Sequence, residues 1–579
     1  MKPYNFINNH KYDLILLLFL VIIGVKYIFN VSGYTDITLW DESRYLDQGL
    51  NLFKKGLPDV NWSPLYAIHY YILSIYQHDA IKLYYLNYIV MTVMMPISSY
   101  IYFRAFDIGK LPAFLFSIIL LISQANYDMC PKASLFALYI IFFSAAIIRY
   151  SNKTEYKLLF ACVSLFILSF ARPEFMISFI LMLTIFAMYS TISGFKYKKY
   201  TSLKMCLGLL ILIIISYLAI GLPIISKEGE RSYLAFGQHF SRNMTKLTGS
   251  EIDDPWTQMS KGVERSYLAF GQHFSLNMTV LEGKEINLRI DIDPWTHWEK
   301  ITREFFGSAK TIREALINNP SAFFEHVKCN INSIPRVLLD LIKYQYNISW
   351  QRQVGISLVI ILLLCPIIIL SYANIVLSIK NIKQNTVLLA FMLSSTIPSI
   401  ISAILIYPET HYLLPLFVII LTFIVVIISS ITYEPDKLKL YISYGILFIF
   451  VVPCLSDYQP TQPYLENKNV LQVIRNLNLT KPVNLLEIDG GYNIYLTPNF
   501  HWFYPNDPSD TDFDTFLLDK KINMIVFSYK LLNYYKYKTP ENKTPDNKML
   551  HFISHYPEYG FSKIYVSRNM VILLHKSLI

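Results

Sequence analysis

The sequence predicts a mainly α, polytopic helical membrane protein with about eleven spans and a small extracytoplasmic α/β domain at its C-terminal end. Three observations predict it. Hydrophobic residues fill 54% of the 579 positions and charged residues 16%, against roughly 25% charged in a soluble chain. Apolar runs of spanning length recur along the first 456 residues. Beyond residue 456 the composition turns mixed and polar, and strand-like runs alternate with helical ones. These numbers exclude a soluble enzyme, a disordered chain and a coiled coil.

The expected spans lie near 13–31, 81–103, 111–125, 134–149, 157–171, 174–193, 205–225, 354–379, 386–407, 413–432 and 438–456. The first is long for a signal peptide and lacks a small-x-small cleavage site, so it is expected to stay as an anchor. A cytoplasmic N-terminus puts Arg104 and Lys110, then Arg149, Lys153 and Lys157, then Lys196, Lys198, Lys199 and Lys204, then Lys380 and Lys383, then Lys437 and Lys439 in inner loops. The short outer loops hold Lys132, Arg172 or no basic residue, which is the positive-inside pattern. The net charge of +10 (51 Lys and Arg, 41 Asp and Glu) belongs to those inner loops and to anionic lipid. No basic stretch with interleaved aromatics points to nucleic acid. The six cysteines are scattered without a C-x-x-C, so neither a zinc site nor a disulfide framework is expected.

This orientation makes 32–80, 226–353 and 457–579 extracytoplasmic. In 32–80, Leu46, Leu50 and Phe53 share one helical face, so 41–55 is expected to be an amphipathic surface helix stopped by Gly56. The segment 226–353 carries a tandem duplication: Glu230–Thr245 and Glu264–Thr279 differ only at Arg242 and Leu276. The repeats, 230–257 and 264–296, each run on to Asp-Pro-Trp-Thr, and a lengthened surface loop is tolerated cheaply. In 457–579, strands are expected at Pro482–Ile488, Ile522–Ser528, Lys563–Val566 and Met570–His575, and helices at Val470–Leu477 and Met549–His555. Gly490-Gly491 lacks the G-x-G-x-x-G spacing of a nucleotide site.

Ionisable residues gather at the outer ends of the spans. Asp41, Glu42 and Arg44 follow the first; Asp128 lies between the third and fourth; Arg172 and Glu174 follow the fifth; Glu409 and His411 precede the tenth. Taken singly, Asp41 is most simply a helix N-cap, and charges live in loops. Together they make a polar cluster at headgroup level. There a carboxylate can act as general base on an acceptor and arginines can hold a lipid-linked phosphate.

These residues resemble the GT-C superfamily of polytopic glycosyltransferases, in the branch of protein O-mannosyltransferases and the lipid A aminoarabinose transferase. Asp41-Glu42-Ser43-Arg44-Tyr45 is similar to the D-E-x-R-Y opening of that branch's first outer loop, and Ser63-Pro64-Leu65-Tyr66 to its following Pro-Leu. Arg172-Pro173-Glu174 and His411-Tyr412-Leu413-Leu414-Pro415 resemble its later motifs. The likeness implies Asp41 as catalytic base, Asp128 as a second acidic site residue, and Arg44 and Arg172 on the donor phosphate. Glu42, Tyr45, Glu174, Glu409, His411 and Tyr412 are implied as supporting residues. It implies an inverting transfer from a polyprenyl-phosphate sugar to a glycan, lipid or protein acceptor; a bacterial inner or plasma membrane is the expected location, with the endoplasmic reticulum as the alternative. No cofactor is required, although a divalent cation beside Asp41 and Asp128 is conceivable. The family's Lys before Pro-Pro-Leu is absent, as Asn61-Trp62-Ser63 stand there. A lipid-linked glycan flippase, an O-antigen polymerase or ligase and a non-catalytic assembly subunit are the alternatives.

Overall fold

The computed structural model describes residues 3–39, 41–58, 62–123, 126, 132–197, 200–220, 305–309, 312–342, 386–405, 408, 410–431, 465–488, 490–496, 498–503, 513–528, 531, 547–567 and 570–579. They are mostly helical. Helix α1 (Pro3–Tyr27) is followed by the short helices α2 (Asp41–Leu50), α3 (Leu52–Lys55) and α4 (Pro64–Ser74). Long apolar helices follow: α5 (Ala80–Ala105), α6 (Lys110–Ile122), α7 (Ala133–Tyr150), α8 (Thr154–Ser169), α9 (Phe175–Tyr197) and α10 (Thr201–Ile220). Further on come α11 (Ile312–Asn318), α12 (Pro320–Ile342), α13 (Thr386–Leu405) and α14 (Thr410–Ile431).

Among the described residues, five helices are long and apolar enough to cross a membrane: Lys11–Gly33, Ala80–Ala105, Ala133–Tyr150, Phe175–Phe195 and Thr386–Leu405. Shorter apolar helices lie at Lys110–Ile122, Thr201–Ile215 and Thr410–Val426. The expected spans 354–379 and 438–456, and the duplicated segment, fall outside the described residues.

The bundle has two chemically different ends. At one, Asp13 of α1 pairs with Arg104 (3.1 Å) and Lys110 (3.3 Å), and Asp107 with Arg149 (2.7 Å). The other carries α2 to α4. The expected single helix over 41–55 is broken at Asn51, whose side-chain amide turns back onto the Asp47 carbonyl (3.2 Å) and carboxylate (2.8 Å). Gly56 ends α3 with φ 77°, a conformation that favours glycine. Helix α4 begins with Pro64 in its first turn. Ser63 before it is buried and donates to the Ala171 carbonyl (2.6 Å), fixing α4 against the turn after α8.

Gly49 sets how closely α2 approaches α4. A Cβ there would lie 2.4 Å from the Tyr70 Cβ and 3.0 Å from the Ala67 carbonyl. Gly49→Ala is therefore expected to force α2 outward and destabilise the protein by about 1–3 kcal/mol. Thermal unfolding in detergent checks it; an unchanged Tm would mean that α2 shifts without cost.

The C-terminal segment forms a five-stranded sheet in the order β2-β1-β3-β5-β4. Its strands are β1 (Val483–Leu486), β2 (Phe500–Phe503), β3 (Met524–Ser528), β4 (Phe561–Tyr565) and β5 (Met570–His575). β1 runs parallel to β2 and β3, while β5 is antiparallel to β3 and β4. Strand alternation sorts the core. Leu485, Met524, Val526, Ile572 and Leu574 face helix α15 (Glu466–Asn476) through Val470, Leu471 and Ile474. Leu486, Ile525 and Leu573 face the other way, onto Phe513, Phe516 and Phe552. Strand β2 is an addition to the expected set.

This sheet domain is tied to the first loop. Asp36 caps α15 from a distant part of the chain: its carboxylate accepts from Asn467 N (2.9 Å) and Lys468 N (2.8 Å). The Asn467 side chain donates to Ile37 O (2.9 Å), Lys468 Nζ to Ser32 O, and Tyr495 OH to Thr38 O (3.1 Å). Arg475 pairs with Asp79 at 2.7 Å.

Candidate functional site

Helix α2 presents three faces, and consecutive residues of D-E-S-R-Y take different ones, because each residue turns about 100° around the axis. Asp41 is exposed at the helix N-terminus. Glu42, one position on, is buried. Its Oε1 accepts from Tyr66 OH (2.7 Å), from Tyr70 OH and from Asn87 Nδ2 (3.4 Å). Tyr66 and Tyr70 stand one turn apart on α4, which places both hydroxyls on one carboxyl.

Burial pushes the Glu42 carboxyl up to about 8, although the two tyrosine hydroxyls and Lys132 pull it down. Glu42 is thus a neutral acid at pH 7, a different protonation state from that of an ordinary surface carboxylate. The sign of the pH effect follows. Below the ordinary value of 4.5 both folded and unfolded forms hold the proton and the docking of α2 is at full strength. Between there and about 8 only the folded form holds it, so stability falls as pH rises, by up to about 1.4 kcal/mol per pH unit. The wild-type Tm is expected to drop more steeply from pH 5 to pH 8 than that of Glu42→Gln. A wild-type Tm as flat over that window as that of Glu42→Gln would mean that the tyrosines hold an ionised carboxylate.

Tyr45 faces a second cluster. Burial and the Asp41 carboxylate push its hydroxyl pKa up, and Arg172 opposes them. Arg172 lies in the turn between α8 and α9 and joins three elements. Its Nη2 and Nε reach Glu174 Oε1 (2.6 and 2.7 Å), and its Nη1 donates to Ser134 Oγ (2.5 Å) at the start of α7. Its guanidinium stands 5.8 Å from the Tyr412 ring centre at the start of α14. Burial opposes the charge on Arg172, but Glu174 beside it holds the pKa above its ordinary value. The His411 and Tyr412 rings lie 4.1 Å apart.

Arg44 takes the third face. Its guanidinium lies 5.1 Å from the ring centre of Trp62, and Trp62 packs edge-on against Tyr45 (5.9 Å). Arg44 lines a cavity of about 1120 Å³ between the first loop and the sheet domain. The structure therefore brings Asp41, Tyr45, Arg172, Glu174 and Tyr412 into one neighbourhood and sets Arg44 beside it, behind Trp62. Asp128 and Glu409 lie outside the described residues.

Several members of this neighbourhood were not expected from sequence. Ser134 gave no signal. The pairing of Tyr66 and Tyr70 could have been found from their i, i+4 spacing on a short helix. Gly490 N and Gly491 N donate to the buried Glu487 carboxylate (2.6 and 3.1 Å), so an internal anion already satisfies these glycine amides. Among the described residues no three His, Cys, Asp or Glu side chains converge as metal ligands.

No family model matches the sequence, and no curated protein does. Among solved structures, the chain is similar to ArnT from Cupriavidus metallidurans bound to undecaprenyl phosphate. They share 12% identity over 97% of this chain and 98% of that one, with a TM-score of 0.38, a likeness too slight to carry an argument.

Proposed function

We propose that the protein is an inverting glycosyltransferase that moves a sugar from a polyprenyl-phosphate donor to an acceptor at the extracytoplasmic edge of the membrane. What carries this proposal is that R-P-E, in which Arg172 pairs with Glu174 (2.6 Å), meets two of the other three sequence motifs. The Arg172 guanidinium stands 5.8 Å from the ring centre of Tyr412 of H-Y-L-L-P and is close enough to Tyr45 of D-E-S-R-Y for each to act on the other's charge.

In this mechanism Asp41 is the general base. Its exposed carboxylate takes the proton of an acceptor hydroxyl or amine as that atom attacks the anomeric carbon. The bond from that carbon to the phosphate oxygen breaks, its electron pair leaves with the phosphate, and the anomeric centre inverts. Arg172 and Arg44 stabilise the departing charge. Glu42 is a positioning residue: buried and neutral, it holds α2 through Tyr66 and Tyr70 without adding negative charge beside the phosphate. A single displacement requires one base and one stabilised leaving group.

The experiment is product formation by the purified protein in detergent, from polyprenyl-phosphate sugars and candidate glycan, lipid and protein acceptors. Turnover without a vesicle or a gradient separates a transferase from a flippase. Mass spectrometry of envelope lipids, glycans and proteins from cells with and without the chain identifies the acceptor.

A further inference from the structure

The end of the bundle opposite α2 to α4 takes no part in the chemistry above. Three cations meet a single carboxylate there. Asp13 of α1 accepts both Arg104 (3.1 Å) and Lys110 (3.3 Å). The Lys110 ammonium also stands 5.3 Å from the ring centre of Tyr12, and the Lys11 ammonium stands at the same distance from that ring. The neighbouring carboxylate, Asp107, is matched by Arg149 (2.7 Å). Four cations against two carboxylates leave a surplus of two positive charges among these residues. No acidic residue precedes Asp13 in the sequence.

Lys11 and Tyr12 are exposed, so the surplus is open to the surroundings. What lies beside it is apolar. Ile15, Leu18 and Ile22 follow Lys11 at i+4, i+7 and i+11 on one face of α1, and each is about half exposed. From Lys11 to Ile22 the helix rises about 16 Å, close to the hydrocarbon depth of one leaflet, about 15 Å. One face of α1 therefore joins a cation at headgroup level to an apolar strip of acyl-chain length. Tyr12, an apolar ring with a polar tip, suits the boundary between them. A zwitterionic lipid would bring its own ammonium to a place already rich in cations. An anionic lipid brings a phosphate diester that lysines can hold, without a second positive charge.

We propose that Lys11, Tyr12 and Lys110 bind one anionic phospholipid, with its phosphate diester on the two ammonium groups and an acyl chain along Ile15, Leu18 and Ile22. The site does not depend on the transferase function.

The test is native mass spectrometry of the full-length protein in detergent, with phosphatidylglycerol or phosphatidylcholine of the same acyl chains added. Phosphatidylglycerol is expected to be retained at least about tenfold more tightly. Lys11→Glu is expected to abolish that preference and Lys11→Arg to keep it. Lys153→Glu, before α8, makes the same change in net charge elsewhere and is expected to leave the preference intact. Lys110→Gln is expected to weaken retention as well; because Lys110 also holds Asp13, the two Lys11 variants decide the matter if Lys110→Gln fails to fold. Inorganic phosphate in excess is expected not to displace the lipid. Equal retention of the two lipids by the wild type overturns the proposal. Equal losses in Lys11→Glu and Lys153→Glu overturn it too, since net charge and not a site would then hold the lipid. Displacement by inorganic phosphate does the same, by showing a simple anion site without an acyl-chain contact.

Discussion

Asp41→Asn is expected to lower transfer by about two to four orders of magnitude while the protein remains inserted and folded. The asparagine keeps the size and shape of the side chain at the first position of α2, so the helix is expected to retain its N-terminus. It loses the ability to accept a proton at neutral pH. Donor affinity should change little, because the proposed phosphate contacts come from Arg44 and Arg172. The measurement is single-turnover product formation together with donor binding by the same preparation. Full activity in Asp41→Asn would remove Asp41 from the base role. A parallel loss of donor binding would move it to the donor side of the site. The corresponding change at Glu42 should act differently: Glu42→Gln alters the pH dependence of stability, because Glu42 meets tyrosines and not the exposed face.

Asp36→Ala is expected to loosen the sheet domain from the first loop. Its carboxylate takes two backbone N–H groups of α15, and both donors sit where a helix has no internal partners for them. Loss of the cap and the orphaning of these amides should cost about 2–4 kcal/mol. The cost should appear locally. Amide exchange is expected to accelerate in 466–476 and in 31–38, while α5 and α7 exchange as in the wild type. Asp36→Asn, with one acceptor oxygen, should fall between the two. Uniform acceleration over the whole chain would show that the docked domain and the bundle unfold as one unit.

The helical bundle was legible because long apolar runs can be read without knowing their neighbours. The helices over 312–318 and 320–342 have no counterpart among the expected elements, because 226–353 reads from sequence as one long outer segment between apolar spans. Strand β2, Phe-His-Trp-Phe, is four residues long and has no clear period-2 alternation, so its pairing with β1 decides it. In the site, the first-loop motif was visible as a cluster of charges. Sequence could not separate Asp41 from Glu42, adjacent acids of similar chemistry, because the difference lies in which side of α2 meets Tyr66 and Tyr70. Arg172 stands out in the sequence at the outer end of a span, but its partner Ser134 is 38 positions away and has no local signature.

The Asp36 cap joins positions 431 apart in the chain. The clasp can therefore close only after residues 467 and 468 have been synthesised, long after the early helices. Until then the early helices wait in the bilayer with one wall of the cavity missing. A chain cut short before residue 467 would lack the clasp and one wall of the cavity.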